Sequence, residues 1–391
     1  MNFFEELIKP LSIDDFKSSY YEKKHVHIKS ENAARFSHLI SFEKLDEMVG
    51  VHGLTAPDIT VVNSKDDVSK SDYLWKQDLV DPVKVAGLFA DGATIIFNAL
   101  QDRFEPLRLL CSGITEDLQL RAQTNIYLTP PNSQGFNTHW DTHDVFVIQV
   151  EGSKDWKIYK EALPLPLEQP NYKFEKDCVD ALNVIDEFVL EQGDILYIPR
   201  GVMHSASASN EKSLHVTLGI TPYTWKSFFL DYIELISDKE ADWRSSVSLL
   251  ASDRESVKSG FESKLKQLQG FADIEAVINR HVSSVHQYYR PRTANLLNQS
   301  LESIVLEKTD IIMPHRHNTI EITKSEDNKV HVSSGAREII FPGAAKKTID
   351  LIFERNNQKI GEFNDDIDWD SRKVVITKLL KESLVFKTLN I

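Results

Sequence analysis

His139-Trp140-Asp141, then Val145-Phe146-Val147-Ile148-Gln149-Val150, then the run from Gly193-Asp194-Ile195-Leu196-Tyr197-Ile198 through Pro199, Arg200 and Gly201 to His204 decide how this chain folds. Two imidazoles and one carboxylate are the donor set of a non-haem iron centre. They occupy one face of an octahedron and leave the opposite positions open for a chelating co-substrate and dioxygen, which is oxygenase chemistry. Residues i and i+2 of a strand share a face, so His139 and Asp141 can reach one metal from a single extended segment. His204 follows a second strand-like run, Asp194–Ile198, turned by Pro199 and Gly201. Two antiparallel segments then bring the ligands together inside a barrel, and Val145–Val150 reads as an alternating strand beside them.

Other readings exist for the same residues. His139 and His143 have the i, i+4 spacing that binds zinc on a helix. Gly135 and Asn137 before them, and the β-branched and aromatic run after them, oppose a helix there. A solvated His139 and a His204 that merely caps a turn would leave the Gly193–His204 run and the intervening strand without a reason.

The stretch Asn125–Tyr159, NIYLTPPNSQGFNTHWDTHDVFVIQVEGSKDWKIY, resembles the core of the JmjC-type cupin oxygenases known as ribosomal oxygenases. These are iron(II)- and 2-oxoglutarate-dependent hydroxylases of ribosomal-protein side chains. The resemblance spans about residues 90 to 225 and extends more weakly to Tyr20-Tyr21-Glu22-Lys23-Lys24-His25, where the family has proline in place of His25. It implies that His139, Asp141 and His204 hold iron(II), with 2-oxoglutarate and dioxygen as co-substrates. It places Lys154 against the distal carboxylate of 2-oxoglutarate. A dicarboxylate that chelates at one end needs a buried cation at the other, although an isolated lysine after the Gly152 turn reads first as solvent-facing. Tyr127 and Asn125, on one face of their strand, are implied to lie near the co-substrate. Thr217 and His215 alternate against Leu214, Val216 and Leu218 and so face away from that apolar set, which makes Thr217 a further candidate for co-substrate binding.

The 391 residues exceed one ordinary core. A hydrophobic content of 41% and charged content of 27% describe a globular protein. Cys111 and Cys178 alone form no disulfide framework, which suits a reducing compartment. The N-terminal residues lack a basic start and a long apolar stretch, and no run approaches a membrane span; the expected location is the cytoplasm, with no membrane partner. A net charge of −14 opposes a phosphate backbone and suits a basic polypeptide partner.

Along the chain, Leu11–Tyr21 and Ser41–Val49 read as short helices capped by Ser12 and Ser41. Residues 56 to 75 read as strands and turns, and Asp81–Ala90 and Arg103–Leu118 as helices around the strand Ala93–Phe97. From about 122 to 222 short strands predict the double-stranded β-helix, or jelly roll, of cupins. Residues 224 to 290 carry helical periodicity. After a boundary at Arg290-Pro291-Arg292, helix and strand alternate in small units that fit a winged helix. Asp365, Asp366, Asp368 and Asp370 around its would-be recognition helix favour protein contact, so direct DNA binding is not expected.

The expected architecture is therefore α+β: a JmjC-type cupin catalytic domain with N-terminal additions over 1–223, a helical dimerisation region over 224–290, and a winged-helix-like domain over 291–391. The resemblance implies a homodimer through that helical region. It also implies a dioxygenase that hydroxylates a protein side chain, an Arg or His of a ribosomal protein. The alternatives are a hydroxylase of a small metabolite or modified peptide, an N-methyl demethylase, and, in another class, a non-catalytic cupin scaffold.

Overall fold

The computed structural model describes residues 2–161, 163–167, 183–270, 273–288, 304–314, 320–334, 337–354 and 358–388. Contacts divide the chain into Met1–Pro222 and Tyr223–Ile391. Cys178 and the expected boundary at Arg290-Pro291-Arg292 lie outside the described residues.

In the first unit, Asn2, Ser12 and Ser41 cap α1 (Phe3–Ile8), α2 (Ile13–Ser19) and α3 (Phe42–Val51). Each side chain accepts from the backbone N–H three residues on, satisfying a donor that the first helical turn leaves open. Between α2 and α3 runs β1 (Val26–Ile28). Residues 56 to 75 depart from the expected strands and turns: they hold one strand, β2 (Ile59–Val62), and one helical turn, α4 (Lys70–Tyr73). The reason is local, because Ser69 and Asp72 form a reciprocal capping box. Next come α5 (Pro82–Ala90), β3 (Thr94–Phe97) and α6 (Glu105–Leu118), as the sequence predicts.

The barrel strands are β4 (Arg121–Thr129), β5 (Asp144–Glu151), β6 (Lys154–Glu161), β7 (Val184–Leu190), β8 (Ile195–Ile198), β9 (Val202–Ala208) and β10 (Ser213–Thr221). They form a seven-stranded sheet in the order β1-β8-β5-β10-β4-β3-β2 and a facing sheet in the order β7-β6-β9. The chain passes from the large sheet (β4, β5) to the small one (β6, β7), then back and forth through β8, β9 and β10. This winding is the double-stranded β-helix. The place beside β9 is taken by one antiparallel bridge, His139 to His204. Its two backbone hydrogen bonds measure 3.1 and 2.8 Å.

β5, the alternating run of the sequence, is buried on both faces: Asp144 through Val150 are all buried. Val145 and Val147 point into the barrel with Trp156, Ile158, Leu196 and Ile198. Phe146 points the other way, with its ring 5.8 Å from Phe4 and 5.7 Å from Phe16. Both faces are covered, so the period-2 pattern separates two cores and not core from solvent.

The second unit begins with α7 (Trp225–Lys239), α8 (Arg254–Gly270) and α9 (Ile274–Tyr288). Tyr232 and Ile236 of α7 bury against Val277 of α9, and Arg280 bridges to Glu234 at 2.7 Å and Asp238 at 3.0 Å. Then follow β11 (Ile312–Pro314), β12 (Glu321–Lys324), β13 (Lys329–Ser334), β14 (Arg337–Pro342), α10 (Lys346–Phe353), α11 (Trp369–Lys381) and β15 (Val385–Lys387). Among the described residues, four strands precede both helices, so the expected alternation of helix and strand is not the order found. β12-β13-β14 is a meander and β11 pairs with β15, around a core that includes Val330, Val332, Ile349, Ile376 and Leu379. Two of the acids near α11 have structural work: Asp368 caps the helix, and buried Asp365 pairs with Arg372. No described helix is long and apolar enough to cross a membrane.

Candidate metal centre

The bridge between His139 and His204 sets two imidazoles side by side, with ring centroids 4.5 Å apart. His139 Nδ1 lies 2.8 Å from the Asn137 carbonyl and His204 Nδ1 lies 3.0 Å from the Val202 carbonyl. A carbonyl oxygen only accepts, so each Nδ1 is the donor and each Nε2 is the nitrogen left for the cluster. Asp141 is held by its own carbonyl, which accepts from the Gly201 N–H at 3.0 Å. One donor atom from each of His139, Asp141 and His204 lies within 4.8 Å of the other two.

Burial holds the His204 imidazole down at about 4, with the neighbouring His139 as the next cause. At neutral pH the 3.6 Å approach of His204 Nε2 to the Asp141 carboxylate is therefore lone pair facing anion, with no proton between. Two imidazole nitrogens and one carboxylate oxygen, with the ring orientation set by hydrogen bonds at Nδ1, fit a divalent first-row metal of the iron type. His143, of the rival zinc reading, lies over Gly219, where its ring would be 2.7 Å from an added Cβ, and is not in the cluster.

The cluster opens into a barrel cavity of about 60 Å³. Lys154 lies in the same cavity and is 4% exposed. The isolated-lysine reading fails because Gly152, at φ +64°, turns the chain so that Lys154 becomes the first residue of β6, pointing inward. Its Nζ donates to Thr129 Oγ1 at 3.2 Å, and Thr129 meets Thr94 at 3.0 Å. Among the described residues no carboxylate lies within ion-pair distance of it. Burial alone brings its ammonium down to about 7. A buried amine with a hydroxyl and, among the described residues, no carboxylate beside it is a site for an anion.

Tyr127 and Thr217 also line the cavity. Tyr127 stacks on His215 with centroids 4.8 Å apart and planes 7° apart, and burial, then Asp141, pushes its phenol up. Asn125 does not line the cavity. It accepts from the Ala99 N–H at 3.1 Å and hydrogen-bonds the Tyr127 hydroxyl, so it can act only through Tyr127. The wall residues Trp156 and Phe136, and Thr129, which accepts from Lys154 without lining the cavity, escaped the sequence reading. Thr129 and Trp156 were signalled by period 2, being i+2 from Tyr127 and from Lys154. Phe136 sits in a loop, where no periodicity marks it. Among the described residues, the buried Trp156 Nε1 and His215 Nδ1 atoms have no hydrogen-bond partner.

The JmjC domain family matches residues 101–228. The bifunctional lysine-specific demethylase and histidyl-hydroxylase NO66 of Drosophila grimshawi is 36% identical over 217 residues, 55% of this chain and 30% of that protein. The protein of the same name from Aedes aegypti is 32% identical over 237 residues, 59% of this chain and 36% of that one. The chain thus spans about a third of the length of these relatives. Among solved structures, the Escherichia coli ribosomal oxygenase YcfD in complex with cobalt and succinic acid superposes with a TM-score of 0.55 at 14% identity, covering 97% of this chain and 99% of that one. YcfD in complex with cobalt and 2-oxoglutarate gives 0.51 over the same shares. At such identity the likeness to YcfD speaks for the fold alone. This chain carries a JmjC domain over residues 101–228.

Proposed function

We propose that this protein is an iron(II)- and 2-oxoglutarate-dependent dioxygenase that hydroxylates a side chain of a basic polypeptide, an Arg or His of a ribosomal protein. The observation that carries the reading is the pairing, in one cavity, of a two-imidazole, one-carboxylate set with a buried lysine amine that has no carboxylate partner among the described residues. That arrangement suits a molecule which chelates a metal at one end and ends in a carboxylate at the other. 2-Oxoglutarate is such a molecule, and the cobalt complexes of YcfD with 2-oxoglutarate and with succinic acid support the assignment. Bound iron(II), 2-oxoglutarate and dioxygen would supply an oxidant able to put one oxygen atom into a C–H bond, with succinate and carbon dioxide as the other products.

The chain's own residues do the rest. His139, Asp141 and His204 would hold the metal, and the Nδ1 hydrogen bonds of the two histidines keep their rings aimed. Lys154 would take the distal carboxylate, oriented by Thr129. Tyr127 and Thr217 would bound the co-substrate, with Asn125 fixing the Tyr127 hydroxyl. Val145, Val147 and Trp156 keep bulk water from the inner end.

The NO66 relatives are named both demethylase and hydroxylase, so N-demethylation is the second reading. The deciding measurement offers ribosomal-protein fragments with Arg or His, free amino acids and small acids to the iron-loaded protein. Succinate release with a one-oxygen mass gain on a fragment supports hydroxylation, and loss of a methyl group selects demethylation. Turnover confined to a free metabolite overturns the polypeptide assignment.

We also read α7–α9 as a homodimerisation region within 224–290, because Trp225, Phe229 and Leu230 are 76, 52 and 52% exposed. The residues beyond 291 we read as a winged-helix-like protein-contact module, and the cytoplasm as the location.

A further inference from the structure

The cavity is graded from inside to outside. Lys154, Trp156 and His215 are buried, whereas Phe136 is 40% exposed and is the aromatic wall residue nearest solvent. Its loop is pinned. A Cβ on Gly135 would meet the Thr94 side chain at 2.8 Å, so the glycine lets the loop press against β3. Ser64 N–H donates to the Gln134 carbonyl at 3.0 Å, and Gln134 Nε2 donates to the Phe136 carbonyl at 2.7 Å. The Phe136 ring lies 5.4 Å from the His139 ring and 6.2 Å, edge-on, from Tyr127. A large apolar ring that lies partly in solvent, beside a candidate metal ligand and at the open side of the cavity, is placed to meet whatever enters last.

Charge narrows what that is. Among the described residues lining the cavity, Lys154 is the one ammonium or guanidinium group and Asp141 the one carboxylate. On the reading above, Lys154 is taken by the co-substrate. Asp141 is taken by the metal, so no lining side chain is left to pair with a second acidic molecule. A flat guanidinium or imidazole finds an aromatic face.

We infer that Phe136 is a specificity-determining residue: a platform on which the planar, cationic or neutral side chain of the polypeptide substrate stacks beside His139, in a site that rejects acidic metabolites. This rests on the 2-oxoglutarate reading and names the chemistry of the second substrate.

The test uses the full chain loaded with redox-inert zinc(II). Calorimetry follows 2-oxoglutarate binding. With 2-oxoglutarate present, saturation-transfer NMR follows N-acetyl-arginine amide, N-acetyl-leucine amide and N-acetyl-glutamate amide. In wild type the affinity order should be arginine, then leucine, then glutamate. F136A and F136L should weaken the arginine probe about five- to tenfold, F136Y should hold it within about twofold, and all three should leave 2-oxoglutarate binding unchanged. F136L separates loss of the ring face from loss of bulk. A wild type that binds no 2-oxoglutarate overturns the co-substrate reading. A wild type that binds it, with glutamate amide held as well as arginine amide or with F136A and F136L indistinguishable from wild type, overturns the role of Phe136 alone.

Discussion

His204 is buried, with its imidazole held down at about 4 and aimed by the Val202 carbonyl, and His139 has the same support from Asn137. With one carboxylate in the set, removing any member leaves too few donors for a tightly held metal. His139→Ala, Asp141→Ala and His204→Ala are each expected to abolish 2-oxoglutarate turnover, read as succinate release, with circular dichroism unchanged; near-normal succinate from any of them refutes the ligand assignment. Lys154 carries a pH signature. Burial lowers it from 10.5 to about 7, so between these values the unfolded chain holds a proton that the folded chain has released. Stability therefore rises with pH across that window, and the full cost of the buried charge is present below pH 7. A bound carboxylate favours the charged form, so 2-oxoglutarate binding takes up a proton, and affinity is full below pH 7 and declines above it. Calorimetry in two buffers of different ionisation enthalpy reads that proton. Lys154→Ala should remove the pH dependence and raise the 2-oxoglutarate requirement by about a hundredfold or more, as a loss of roughly 3–5 kcal/mol implies. An unchanged requirement would return Lys154 to a purely structural part.

At the scale of elements, tight turns place the site. Gly152 has φ +64°, and a Cβ there would stand 2.0 Å from the Lys212 carbonyl oxygen. Gly152→Ala must therefore strain the β5–β6 turn and displace the loop between β9 and β10. It is expected to cost about 1–3 kcal/mol in thermal melts and, because Lys154 begins β6, to weaken 2-oxoglutarate binding. Gly50→Ala, in α3 with nothing within 4 Å, is the control and should be neutral or slightly stabilising. Equal melting curves for the two variants would contradict this account. The turn also explains a misreading: Lys154 follows a glycine turn in sequence, where lysines usually meet solvent, and only the pairing of β6 with β7 and β9 turns it inward.

For the whole molecule, a homodimer through α7–α9 predicts a light-scattering mass near twice 44.7 kDa at micromolar concentration. Trp225→Asp with Phe229→Asp should shift it to one chain's mass. A single-chain mass for wild type removes the proposal. The net charge of −14 predicts that activity on a basic polypeptide falls as salt rises and the Debye length shrinks from about 10 to 3 Å, because charge pairs at the rim act mainly through association rate. Salt-independent turnover would place recognition in the cavity alone.

The residue types and order of the sequence by themselves determined the donor set, the cupin winding and the caps at Ser12 and Ser41, because each is local: a ligand must be His or Asp, a strand repeats every two residues, and a cap lies next to its helix. Tertiary structure decided the rest. Whether β5 had one buried face or two depended on α1 and α2 covering the far side of the sheet, which no period in β5 records. Whether Lys154 met solvent or the cavity depended on strands pairing across the barrel. Phe136 became part of the wall because Gly135 let a loop close on Thr94, a contact between residues far apart in sequence that leaves no local pattern to read.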